Sequence, residues 1–234
     1  PIVHFDRPFG LLVECSDRIR KDGPTLSVYR ISVYIDDTLW YETTFDTLDY
    51  ATGSSSNLEY VYQEVAQEKS YARRLYRAVG NDYRWSRGFH GGDGTIGTVP
   101  SISYGLHNVR IVATDPSGNK STLRLSFMWV PESGLYALDS TVNVNDSNAL
   151  YYFTPTVDAK PFGIDSARVF LNKRGKWGPV PTVAVTSAPN GGLIADARGF
   201  LLDRRAFRLS LYTKSGCRID EQPFCGLDTI GTDR

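Results

Sequence analysis

The chain has 234 residues, of which 41% are hydrophobic and 22% charged, a composition that fits a soluble globular protein with room for one large domain or two of ordinary size. Its 26 Lys+Arg balance 26 Asp+Glu, so the basic excess usual in nucleic-acid binders and polybasic membrane-surface proteins is missing, and both classes are disfavoured. No apolar run approaches the ~20 residues that span a bilayer as a helix, so no transmembrane segment is expected.

The N-terminal PIVHFDRPFG carries no signal-peptide pattern and begins without Met, which leads us to expect a piece of a longer parent. PFGLLVEC, residues 8 to 15, reads as a strand, with Cys15 expected as a buried free thiol. Ile31, Val33 and Ile35 then alternate with polar neighbours, Asp36-Asp37 makes a turn, and LWYETT returns, which together predict a β-hairpin. A Gly/Ser-rich loop follows over residues 49 to 57. Leu58, Val61, Tyr62, Val65, Ala72, Leu75, Tyr76 and Val79 recur at three- and four-residue steps, so this stretch is expected to be partly helical. Gly80 ends it, and residues 81 to 98 form a Gly-rich excursion containing GFHGGDG. The whole segment, about 57 to 98, reads as a partly helical or irregular insertion.

The clearest element is HNVRIVATDPSGNKSTLRLSFMW, residues 107 to 129. Val109, Ile111 and Ala113 alternate before the turn, and Leu123, Leu125 and Phe127 after it, which puts one face of each strand in a core. Pro116 and Gly118 supply the turn conformations, and Asp115 and Asn119 can bond nearby backbone. Pro131-Glu132-Ser133-Gly134 marks a boundary, and short strand-like runs then recur up to residue 213, separated by turns such as KRGKWG and APNGG. The expectation is an all-β protein of two immunoglobulin-like β-sandwich domains, residues 1 to 131 and 135 to 234.

The sequence offers little chemistry. His4, His90 and His107 are the only histidines, and no HExxH, His-x-His, CxxC, nucleophile elbow or phosphate-binding loop occurs. No catalytic residue, metal ligand or cofactor is therefore assigned, and the chain is read as a non-enzyme. Cys217 and Cys225 bracket RIDEQPF and are candidates for a disulfide, with two separate thiols as the plain alternative. Binding is harder to dismiss, because aromatic residues make up 12% and several lie beside arginines in the insertion. Tyr83, Arg84, Trp85, His90 and, in a later turn, Trp177 form the candidate surface for a sugar or a partner protein. The alternative is that the aromatics cover the sandwich while the arginines stay solvated.

The order YRISVYIDDTLWYETTFD, then LEYVYQEVAQEKSYARRLYRAVGND, then GGDGTIG, then YGLHNVRIVATDPSGNKSTLRLSF resembles the β-sandwich region downstream of the catalytic domain in some secreted bacterial LytM/lysostaphin-type zinc peptidases. The resemblance covers about residues 5 to 130. That family's catalytic motifs, His-x-x-x-Asp and His-x-His, have no match here. The resemblance therefore implies a non-catalytic accessory module, exported to the periplasm or cell surface, that positions a peptidoglycan-directed peptidase by docking to a protein or to cell-wall glycan or peptide. Carbohydrate-binding modules and adhesins or structural surface domains are the alternatives.

Overall fold

The structure is a computed structural model that describes residues 2–18, 25–26, 28–46, 57–61, 66, 72–98, 101–145, 148–173, 175–180, 183–197, 206–221 and 223–224. The protein is all-β, and helical structure among these residues is confined to single short turns such as the 3-10 turn Lys160–Phe162. In chain order the strands are β1 (Val3–Phe5), β2 (Leu12–Val13), β3 (Asp17–Arg18), β4 (Thr25–Leu26), β5 (Arg30–Ile35), β6 (Thr38–Thr44), β7 (Arg73–Arg74), β8 (Ser86–Gly88), β9 (Gly105–Thr114) and β10 (Lys120–Trp129). They continue as β11 (Tyr136–Asn145), β12 (Asn148–Pro155), β13 (Ile164–Lys173), β14 (Lys176–Pro179), β15 (Val183–Ser187), β16 (Leu193–Ala197), β17 (Phe207–Thr213) and β18 (Arg218–Asp220). These residues fall into two compact units. The first lies within Arg7–Ser103 and His107–Phe127, the second within Pro1–Asp6, Tyr104–Leu106 and Met128–Arg234.

The first unit is built on an antiparallel sheet in the order β10-β9-β5-β6-β8. Asp36 and Asp37 have φ of 47° and 64°, the paired positive values that a two-residue hairpin turn needs to match strand twist. The Asp36 carboxylate offsets the strain of that conformation in a residue other than glycine. Its two oxygens accept the Asn108 N–H at 2.9 Å and His107 Nδ1 at 2.6 Å. Alternation then places Ile31, Val33, Ile35, Val109 and Ile111 inside, each at most 3% exposed. The Asp115–Asn119 turn forms as its residues demand. Asp115 accepts both the backbone and the side-chain N–H of Asn119, which holds its carboxyl below the usual carboxylate range. Leu123, expected inside, is 52% exposed, because β10 is covered only from Leu125 onward.

Of the stretch Leu58–Val79, expected to be partly helical, residues 58–59 lie in a 3-10 turn and residue 66 is helical, but residues 72–79 are not; residues 62–65 and 67–71 lie outside the described set. Arg73–Arg74 is a strand, and Val79, placed on the apolar stripe, is wholly exposed. The backbone donors explain why. Leu75 N–H bonds the Leu11 carbonyl at 2.9 Å and Arg77 N–H the Asp93 carbonyl at 2.7 Å, so neither bonds four residues back as a helix requires. The insertion instead forms a covering layer over the sheet. Phe9 and Ile96 exchange backbone hydrogen bonds at 3.0 and 2.9 Å, and the Phe9 ring meets Phe127 edge-on at 5.2 Å. Leu75, Tyr83 and Ile96 are all buried in it.

The second unit is a sandwich of two four-stranded sheets, β11-β12-β16-β15 and β14-β13-β17-β18. Both inner faces contribute to one core, in which Phe207 packs edge-on against Tyr151 at 5.6 Å and Phe153 at 6.3 Å. Each of these rings is at most 2% exposed and stabilises the unit by about 1.5–3 kcal/mol through burial. Cys217 is a buried free thiol in this core, raised above its ordinary pKa by desolvation, and Cys225 lies outside the described residues. Cys15 is a free thiol too, only half-buried rather than buried.

Candidate functional site

Alternation along β5, β6 and β8 leaves a polar outer face, and the strand register determines which side chains meet there. Arg30 pairs with Thr44, and Glu42 lies between Ser32 on one side and Arg87 on the other. Arg30, Glu42, Thr44 and Arg87, with Asp46, Arg84 and Trp85 from the adjoining loops, line an open cleft of about 370 Å³. Two of its members, Arg84 and Trp85, are sequence candidates.

The cleft has a flat aromatic wall and a charged rim. Trp85 is half-buried and lies on the buried Tyr83, ring centroids 4.2 Å apart at 33°, with Phe45 at 6.1 Å. Glu42 accepts the Ser32 hydroxyl at 3.0 Å and an Arg87 N–H at 3.4 Å. The Glu42 side chain is 16% exposed and that of Arg87 63%, so the carboxylate sits low and the guanidinium faces solvent. Arg87 also lies 4.7 Å over the Phe89 ring. Arg30 gives its Nε–H to Thr44 at 3.2 Å, and Asp46 accepts the Tyr29 hydroxyl, which raises the Tyr29 pKa. Arg84 is exposed.

The other sequence candidates separate. Tyr83 is only 3% exposed, so it is a core side chain behind Trp85 rather than part of a binding surface. His90 is exposed with φ of 56°, in a turn whose Gly91 also has positive φ, and its Nε2 lies 3.2 Å from the Leu39 carbonyl. It lines a different recess with Trp40, Asp36 and His107. His107 is buried, its two ring nitrogens engaged by Asp36 and by the Ser103 carbonyl at 2.7 Å. Among the described residues no group of three or more His, Cys, Asp or Glu is arranged to hold a metal ion. Trp177 belongs to the second unit. It lies on β14 rather than in a turn, half-buried beneath the Arg208 guanidinium at 4.7 Å.

The insertion arginines are expected either to grip a partner or to stay solvated; Arg73 and Arg74 are buried or half-buried against the protein itself, and Arg77 is exposed. Arg73 is 7% exposed, sits 4.4 Å over Phe45, and donates to the Tyr60 hydroxyl through Nε and Nη2. Arg74 donates to the Leu58 and Tyr60 carbonyls at 2.7 and 2.5 Å, and Arg77 to the Asn81 carbonyl at 2.6 Å. They hold backbone carbonyls and rings where regular secondary structure is lacking. Sequence reasoning missed Arg30, Glu42, Thr44, Asp46 and Arg87. They lie up to 57 residues apart, and only the outward phase of β5 and β6 hinted that some would share a face.

No helix among the described residues is long and apolar enough to cross a membrane. No protein-family model matches this sequence, and no curated protein matches it. Among solved structures, the chain is similar to the Bacteroides ovatus mixed-linkage glucan utilization locus protein SGBP-B in complex with a mixed-linkage heptasaccharide, at 10% identity and TM-score 0.22 over 94% of this chain and 40% of that one. The chain thus spans well under half the length of that protein. It is similar also to the titin immunoglobulin tandem domains, at 8% identity and TM-score 0.23 over 94% of this chain and 88% of that one. A third is Drosophila OTK, extracellular domains 3–5, at 10% identity and TM-score 0.22 over 94% of this chain and 59% of that one.

Proposed function

We propose that this chain is a non-catalytic binding module whose ligand is a saccharide seated in the cleft beside Trp85. The observation that carries this reading is the half-buried indole lying on Tyr83 at 4.2 Å, bordered by hydrogen-bonding side chains from three strands and two loops. A pyranose ring has an apolar C–H face and a polar equator, and such a site offers a partner to each. The finer reading is that the module belongs to an exported bacterial cell-envelope protein and positions a peptidoglycan-directed metallopeptidase. It rests on the sequence resemblance over about residues 5 to 130.

The test is retention of the purified chain on insoluble peptidoglycan and on a panel of insoluble polysaccharides, with Trp85→Ala beside it. Retention by wild type that Trp85→Ala abolishes supports the cleft. Equal retention of both proteins would remove the cleft from the function. Recovery of a discrete protein from an envelope extract, with no retention on any glycan, would replace saccharide binding with protein docking.

A further inference from the structure

We infer that the Trp85 cleft selects a sugar bearing a carboxylate, a hexuronate unit, over a neutral one. This rests on the proposed saccharide site and names its ligand class. Around the indole stand three guanidiniums, Arg30, Arg84 and Arg87, against two carboxylates, Glu42 and Asp46. The balance of hydrogen-bonding capacity is more lopsided than the charge. Glu42 already accepts from Ser32 and Arg87, and Asp46 already accepts from Tyr29. Part of the accepting capacity of both carboxylates is therefore committed within the protein. Most of the donors are not, since each guanidinium carries five N–H groups in a planar fork. Arg30 commits its Nε–H to Thr44, and Arg87 one Nη2 contact to Glu42, while the rest of the Arg87 fork reaches solvent.

A neutral sugar presents hydroxyls, each of which donates as well as accepts, whereas in this cleft the uncommitted guanidinium N–H groups outnumber the remaining carboxylate lone pairs. A carboxylate only accepts, and it fits a guanidinium fork with two parallel bonds. Arg87 is held for that purpose. Glu42 fixes it from below and Phe89 lies under its guanidinium at 4.7 Å, so little side-chain freedom is lost on binding. Arg84 is exposed and lines the same cleft, which supplies a second fork.

The experiment is titration calorimetry of the full chain at low salt with trigalacturonate, its methyl ester, neutral galactotriose and hexaglutamate. Wild type, Arg84→Ala, Arg87→Ala and Trp85→Ala are compared, with unchanged melting temperatures confirming that each variant is folded. The inference predicts that trigalacturonate binds, and that esterification or loss of either arginine weakens it about tenfold. Raising salt to about 0.5 M should weaken binding as well. Neutral and esterified sugars that bind as tightly as trigalacturonate, insensitive to Arg84 and Arg87 but lost in Trp85→Ala, would overturn the carboxylate preference and leave the saccharide site standing. Binding of hexaglutamate alone would overturn it in favour of an acidic peptide. Binding of none of the four probes would sink the preference and remove support from the saccharide site together.

Discussion

Both oxygens of the Glu221 carboxyl lie 3.0 Å from the Leu135 N–H, and the side chain is only 3% exposed. Residues 134–136 leave the Pro131–Gly134 turn and start β11, and the carboxylate supplies the acceptor for that N–H. Burial dominates the carboxyl and raises its pKa from 4.5 to about 7, against the pull of the Leu135 and Tyr136 N–H groups. Below 4.5 the group is protonated in both the folded and unfolded chain. Between 4.5 and 7 the folded chain keeps a proton that the unfolded chain has lost, so stability falls as pH rises, by about 1.4 kcal/mol per unit. Above 7 both are ionised and the loss stops. Denaturant unfolding of wild type and Glu221→Gln at pH 4.5 and pH 8 reads this directly. Wild type should lose about 3 kcal/mol relative to the Gln variant between those two conditions. Parallel pH profiles would show that Glu221 does not titrate in this window.

Gly134 is the residue that lets Glu221 approach. Its φ is 81°, and a Cβ there would fall 2.2 Å from Glu221 Oε2. Gly134→Ala therefore combines a disfavoured backbone conformation with displacement of a buried carboxyl. We expect a loss of about 2 kcal/mol or more, read as a lower melting temperature. Pairing Gly134→Ala with Glu221→Ala should cost less than the two single changes added, since the double variant has no carboxyl for the new Cβ to displace.

Tyr83 and Trp85 stand two residues apart with similar chemistry, yet the structure predicts opposite consequences for them. Tyr83→Ala empties a buried site and should destabilise by about 3–5 kcal/mol, with any loss of binding a by-product. Trp85→Ala should abolish retention on glycan while costing less stability, because the ring is only half-buried. Chemical denaturation run beside the retention assay separates the two effects. A Tyr83 variant of wild-type stability would show that the ring is not core.

What the sequence disclosed here was the periodic part of the fold. Period-2 alternation located β5, β6 and β9, and turn residues located Asp36-Asp37 and Asp115–Asn119, because local backbone chemistry governs all of them. The covering layer was illegible for a definite reason. Leu75 and Arg77 send their N–H groups to Leu11 and Asp93, and no local pattern records a partner so far away. The apolar spacing from Leu58 to Val79 therefore imitated a helix that is not formed at residues 72–79. The cleft was half legible. Arg84 and Trp85 are adjacent in sequence, whereas Arg30, Glu42 and Arg87 meet only through strand register.

The arginines make the same distinction measurable. The Arg73 guanidinium lies 4.4 Å over Phe45 and 5.1 Å over Tyr60 while bonding the Tyr60 hydroxyl with two nitrogens. A lysine ammonium lacks the plane and the fork, so Arg73→Lys should destabilise the first unit by about 1–3 kcal/mol although charge is conserved. Arg84→Lys, at an exposed position, should leave stability within about 0.5 kcal/mol of wild type. Thermal melts of the two variants under one condition decide the matter. A marked drop for Arg73→Lys alone assigns Arg73 to the scaffold and frees Arg84 for the ligand. Equal, small effects would mean that the Phe45–Arg73–Tyr60 stack contributes little, and that the covering layer owes its place to Leu75, Tyr83 and Ile96 instead.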